Sequence, residues 1–217
     1  LNAVQAIRQG GNASSLGGVA ALYQGTPVYY PTVWHGTVAL LPAGAALASN
    51  AMVLVVGALA WPLGVAGLLV ETLDGGEPSR PDPRRRTAAA LGTVLSAATV
   101  GVPTVLLGTL AVWPYALSVA GLPGVLVLYD LLRQETASWR LRLVLVLLAL
   151  AAGGGVVAAH GTGLFNLAVL SPPFLVNLLV SRWRRSATRR GGRALLVAGA
   201  VASVLVLAVG AWVMRAS

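Results

Sequence analysis

Leu143 to Ser181 reads LVLVLLALAAGGGVVAAHGTGLFNLAVLSPPFLVNLLVS, 39 residues without a formal charge. A helix crossing the hydrocarbon core of a bilayer needs about 20 apolar residues. The stretch holds two such helices, and His160-Gly161-Thr162-Gly163 makes a turn between them. Three more charge-free stretches lie at 9–70, 87–129 and 194–214. The 43 residues of 87–129 make two spans, 194–214 makes one, and Asn50 to Val70 makes another. The fold class is therefore all-α, a polytopic transmembrane helical bundle. About six spans are expected, at 50–70, 88–110, 114–131, 142–159, 163–181 and 194–214.

The residues before Asn50 read differently. A short helix near 1–9 is followed by a Gly-rich irregular stretch to about Thr26, then by a helix from about Pro31 to Leu47. That helix is too short to cross, at about 1.5 Å rise per residue, and Pro42 interrupts it. It is expected to lie at the membrane boundary, with a seventh crossing as the alternative. Two regions result: 1–49, an outer-face loop with an interfacial helix, and 50–217, the transmembrane bundle. The chain opens on Leu1 and reads as mid-protein helix from there, so a fragment of a longer protein is expected.

Composition excludes other classes. Of the 217 residues 57% are hydrophobic and 10% charged, and mean hydropathy is +0.80; soluble domains carry about 25% charged residues. An ordinary cytosolic enzyme or a disordered tail does not fit. The absence of Cys removes disulfide scaffolds and Cys-based zinc modules. The net charge of +9 does not indicate nucleic acid. All fifteen basic residues are Arg, and thirteen lie in the loops 71–87, 132–142 and 182–193. The turns near 111–114 and 160–162 carry none. The positive-inside rule makes the Arg-rich loops cytoplasmic and the N-terminal segment extracytoplasmic, in a multi-pass protein of the cell membrane. Trp113, Tyr115, Trp139, Trp183 and Trp212 fall at expected interface positions.

Chemistry-bearing residues are few. All six acids map to the Arg-rich side, where charge balance in water explains them. The side predicted to face outward carries Tyr30, Trp34, His35, His160 and Asn166, which are expected to line one cavity as a substrate-binding set. Arg8 and Arg215 are the basic candidates there for a phosphate. Capping or anchoring explains each His equally well. Two His without a nearby carboxylate or Cys form an incomplete metal set, so no metal ligands are assigned.

Tyr29-Tyr30-Pro31-Thr32-Val33-Trp34-His35, an apolar helix, and a span ending Trp61-Pro62-Leu63-Gly64-Val65-Ala66 together resemble an actinobacterial family of large integral membrane proteins. Val112-Trp113-Pro114-Tyr115 running to Leu122-Pro123-Gly124, Ala159-His160-Gly161-Thr162-Gly163-Leu164-Phe165, and the opening Leu1-Asn2-Ala3-Val4-Gln5-Ala6-Ile7 are similar to it too. The architecture of that family resembles the GT-C glycosyltransferases, which use polyprenyl-phosphate-linked sugars. The resemblance covers nearly the whole chain through short motifs in a shared order. It implies glycosyl transfer for cell-envelope assembly, from a polyprenyl-phosphate sugar to an envelope glycan acceptor. It also implies a catalytic acid upstream of Leu1, so that the 217 residues alone are inactive, and it leaves room for a divalent metal in the full-length protein. A transporter or flippase subunit and a non-catalytic membrane scaffold are the rival readings.

Overall fold

A computed structural model describes residues 1–74, 83–134, 138–174, 176, 177 and 180. Two compact units divide the chain, Leu1–Leu167 and Ala168–Ser217. The described residues form eight α-helices and no strand.

In the first unit, α1 (Asn2–Gly10) ends at Gly11, whose φ of 60° suits a residue without Cβ. A loop with one 3₁₀ turn, Ala20–Tyr23, leads to α2 (Val33–Ala39). The helix expected from Pro31 to Leu47 is two elements instead. Pro42 has no N–H to continue a helix and disfavours helical geometry before it. α2 therefore stops, and α3 (Ala45–Leu54) starts after the break. Arg8 holds the open end of α2: its guanidinium donates to the carbonyls of Val38 at 3.3 Å, Ala39 at 3.1 Å and Leu41 at 2.8 Å.

α3 runs through a π-helical segment, Val55–Ala60, into α4 (Trp61–Asp74). The first span is thus Ala45–Leu73, longer at both ends than expected from Asn50 to Val70. α5 (Pro83–Ala98) is followed by extended Thr99, with ψ at 144°, and a second π-helical segment, Val100–Thr109. The freed carbonyl of Ser96 accepts from the Trp61 indole at 3.0 Å and the Thr99 hydroxyl at 2.8 Å. The π segments meet at Gly57, where a Cβ would lie 3.1 Å from Leu107 Cδ1 and 3.6 Å from Pro103 Cβ. α6 (Trp113–Gln134) and α7 (Trp139–Ala159) follow, then α8 (Thr162–Leu170), which runs past the end of the unit.

Ala45–Leu73, Pro83–Thr109, Trp113–Leu132 and Trp139–Ala159 are long and apolar enough to cross a bilayer. α6 is the central one: 44% of its most apolar window is buried, against 17% or less for the other three. It packs on α4 and α7. The outer helices expose leucines such as Leu63, Leu91, Leu147 and Leu150. Exposed apolar surface on this scale marks contact with lipid, and the chain is an integral membrane protein.

Side chains tie each end of the bundle. At one end Gln134 donates to Glu71, and to Asp130 at 2.8 Å. Asp130, expected to be solvated, is 6% exposed because α6 is enclosed by its neighbours there. At the other end Tyr115, on the first turn of α6, meets the ring of His160 between α7 and α8.

Ser171 bends the chain just after α8, directly before Pro172-Pro173. Of the expected span 163–181, α8 and residues 172–174, 176, 177 and 180 are described, all helical apart from the bend. The expected span 194–214, the loop 182–193 and residues 75–82 of the first Arg-rich loop lie outside the described residues.

Candidate functional site

The N-terminal loop is pinned from within. Tyr30 N–H donates to Ser15 O at 2.8 Å, Thr32 Oγ1 donates to Ala13 O at 2.6 Å, and Ser15 Oγ lies 3.1 Å from Thr32 Oγ1. Gly18 makes this folding possible, since a Cβ there would fall 2.6 Å from Asn12 O. The result presents Tyr30 beside the turn that opens α6.

That turn is equally fixed. Val112 N–H donates to Leu106 O and the Trp113 indole to Leu107 O, both at 3.0 Å, which closes the end of the π segment. Ala111 adopts a positive φ of 50°, strained for a residue with a Cβ. On the facing side, α7 ends at His160. Its Nδ1 accepts from Thr162 N–H at 3.3 Å and lies 2.7 Å from Thr162 Oγ1. An acceptor Nδ1 leaves the proton of the neutral ring on Nε2. α8 can begin this tightly because Gly163 has no Cβ. One placed there would lie 2.5 Å from Val156 O and 2.6 Å from Ser118 Oγ, and that hydroxyl donates to Val156 O at 2.8 Å.

Between these turns is a cavity of about 740 Å³. Tyr30, Tyr115, His160, Thr162 and Asn166 supply its polar groups; Pro31, Ala111, Val112, Pro114 and Phe165 supply its apolar walls. Tyr115 and His160 meet edge to face, with ring centroids 5.4 Å apart. No carboxylate lines the cavity among the described residues. Pro-fixed walls, aromatic rings and a few hydrogen-bonding groups can hold a small polar ring against an apolar face.

The five expected residues divide between locations. Tyr30, His160 and Asn166 line this cavity. His35 lines a second one, of about 410 Å³, with Asn2, Tyr23 and again Tyr30. The rings of Tyr30 and His35 are 5.3 Å apart. Trp34 lies in the apolar core with no exposed surface, stacked on Trp113 at 5.8 Å. On a seven-residue helix its neighbour His35 faces another way, so the aromatic stretch splits across both sides of α2. Arg8 is occupied as the cap of α2, and Arg215 lies outside the described residues. Reading the sequence missed Tyr115, assigned there to the interface, and Thr162 and Phe165, which stand in the His160 motif without a role.

Burial pushes the His35 ring below its ordinary pKa of 6.5, and a hydrogen bond with the Pro31 backbone opposes it. Burial and neighbouring Tyr23 push the Tyr30 phenol up. Among the described residues no three His, Asp or Glu side chains gather as a metal site.

A family model described as a family of unknown function (DUF6541) matches residues 1–217. The chain belongs to the DUF6541 family. For this DUF6541 protein no curated protein and no solved structure matches.

Proposed function

We propose that this DUF6541 protein binds the glycosyl part of a polyprenyl-phosphate-linked sugar in the larger cavity, as part of a GT-C-like glycosyltransferase of the cell envelope. The observation that carries the reading is the lining. Tyr30 and Tyr115 offer ring faces, while Asn166 and the Nε2–H of His160 offer hydrogen bonds to hydroxyls. A lipid chain leaving the cavity would meet exposed Phe165 and then the apolar flank of the bundle. The Arg distribution supports placing the cavity on the extracytoplasmic side, opposite the Arg-rich loops. Since the cavity holds no carboxylate among the described residues, its part is binding. Activation of an acceptor hydroxyl falls to a general base outside the lining of this cavity.

The test uses the protein in nanodiscs, with binding followed by tryptophan fluorescence. An undecaprenyl-phosphate-linked hexose is expected to bind at least tenfold more tightly than undecaprenyl phosphate, a difference of about 1.4 kcal/mol. Asn166→Ala should remove most of that preference. Equal affinity for the two lipids would overturn the reading. The rival, a transporter or flippase subunit, draws support from the break at Thr99, since discontinuous helices are common in transporters. It predicts movement of the lipid across proteoliposomes.

A further inference from the structure

We infer, resting on the glycosyl reading above, that the larger cavity takes an uncharged sugar ring and leaves the phosphate that carries it outside. The electrostatics of the lining decide the class. Its polar side chains are those of Tyr30, Tyr115, His160, Thr162 and Asn166, and neither an acid nor an Arg lines it among the described residues. The His160 ring is neutral in this arrangement, because its Nδ1 accepts from Thr162 N–H at 3.3 Å. Burial pushes the Tyr30 phenol up, so that group stays protonated. Each polar side chain offered to a ligand is a dipole, and none is an ion.

A helix start could supply positive charge in place of a side chain, and α8 starts here with no acid in its first turn. Its donors are already spent. Thr162 N–H goes to the His160 ring, Gly163 N–H to His160 O at 2.8 Å, and Leu164 N–H to Gly161 O at 3.2 Å. The cavity also meets the first turn of α6, where Pro114 has no N–H to give. A carboxylate or phosphate entering beside α8 would give up the donors of water and find that turn closed.

A cation fares no better. The faces of Tyr30 and Tyr115 attract an ammonium, but by less than it loses on leaving water without a counter-charge. A neutral ring meets neither penalty. Its hydroxyls can bond to the Asn166 amide, which both donates and accepts, and to the Nε2–H of His160. Its C–H face fits the apolar walls of Pro31, Pro114 and Phe165.

The full chain, in phosphatidylcholine nanodiscs, is titrated with undecaprenyl phosphate and with the same lipid carrying glucose, glucuronic acid or glucosamine. Tryptophan fluorescence follows binding. The glucose form is expected to bind at least about fivefold more tightly than either charged form, a difference of about 1 kcal/mol. The net charge of +9 would by itself favour the glucuronic acid form, so non-specific attraction cannot produce that ranking. Phe165 lines the cavity yet is 58% exposed, so a charge placed there should be compatible with folding. Phe165→Arg should remove the preference for glucose over glucuronic acid, and Phe165→Asp the preference for glucose over glucosamine. Equal affinity for the three sugar lipids, all tighter than the bare lipid, would overturn the uncharged-ring inference and leave the glycosyl reading standing. Tighter binding of either charged form would do the same. Preferences unmoved in both Phe165 variants would place the sugar away from this lining and overturn the inference as well. No gain of any sugar lipid over the bare lipid would bring down the glycosyl reading itself, and the uncharged ring with it.

Discussion

Gly163 and Gly154 show how one residue type serves opposite ends. Replacing a helical Gly by Ala gains about 1 kcal/mol of helix propensity. At Gly154, within α7, a Cβ meets nothing within 4 Å, so Gly154→Ala should stabilise by about 0.5–1 kcal/mol. At Gly163 a Cβ would collide with the backbone carbonyl of Val156 and with Ser118 Oγ, which is itself bonded to that carbonyl. A backbone group closing a helix cannot step aside as a side-chain tip can. Overpacking costs about 1–3 kcal/mol, which exceeds the propensity gain. Gly163→Ala is therefore expected to lower the midpoint of thermal unfolding in detergent, and Gly154→Ala to raise it. The sequence shows Gly at both positions and distinguishes neither. The collision comes from α6 and the end of α7, brought together by packing.

At the scale of elements, the breaks were legible in kind but not in place. Pro42 announced an interruption; the sequence did not show that α2 and α3 would separate there, because that depends on Arg8 reaching across 30 or more residues to the end of α2. Pro103 lies inside the second span, yet the helix opens at Thr99, four residues earlier, where the Pro ring would crowd a carbonyl. In a bilayer that opening is tolerable only if the freed groups find partners. Trp61 and Thr99 both donate to Ser96 O. Losing either leaves one donor, so Trp61→Phe and Thr99→Val should each cost about 1 kcal/mol. The double variant strips the carbonyl of both side-chain donors and should cost more than the sum of the two. A double-mutant cycle on unfolding free energy checks this; strict additivity would mean the two donors act independently.

For the whole molecule, the described helices give a bundle whose ends are chemically unlike. One carries the Asp130–Gln134–Glu71 cluster and the other the two cavities. The chain has no native Cys, so single substitutions report sidedness cleanly. With the Arg-rich loops inside, Gly161→Cys should react with an impermeant maleimide in intact cells. Thr136→Cys should react only after permeabilisation. Labelling of both from the same side of intact cells would refute the antiparallel arrangement of α7 against α6. The reverse pattern would invert the orientation and move the larger cavity to the cytoplasmic side.

The sequence by itself determined that the chain is helical and lives in a membrane. Charge-free runs of bilayer length are a one-dimensional property, and burying a charge in hydrocarbon costs too much to be offset elsewhere. It also marked the turns, because His160-Gly161-Thr162-Gly163 and Val112-Trp113-Pro114 interrupt apolar runs. Only the tertiary structure decided which marked residues share a space. Trp34 and His35 are neighbours in the chain, yet one enters the core and the other a cavity. Tyr30 and His160, 130 positions apart, line one cavity because the elements beside them, α2 and α7, both pack on α6. Spacing in a chain fixes direction along one helix. Meeting across helices depends on which faces pack, and that is set by glycines, caps and breaks acting together.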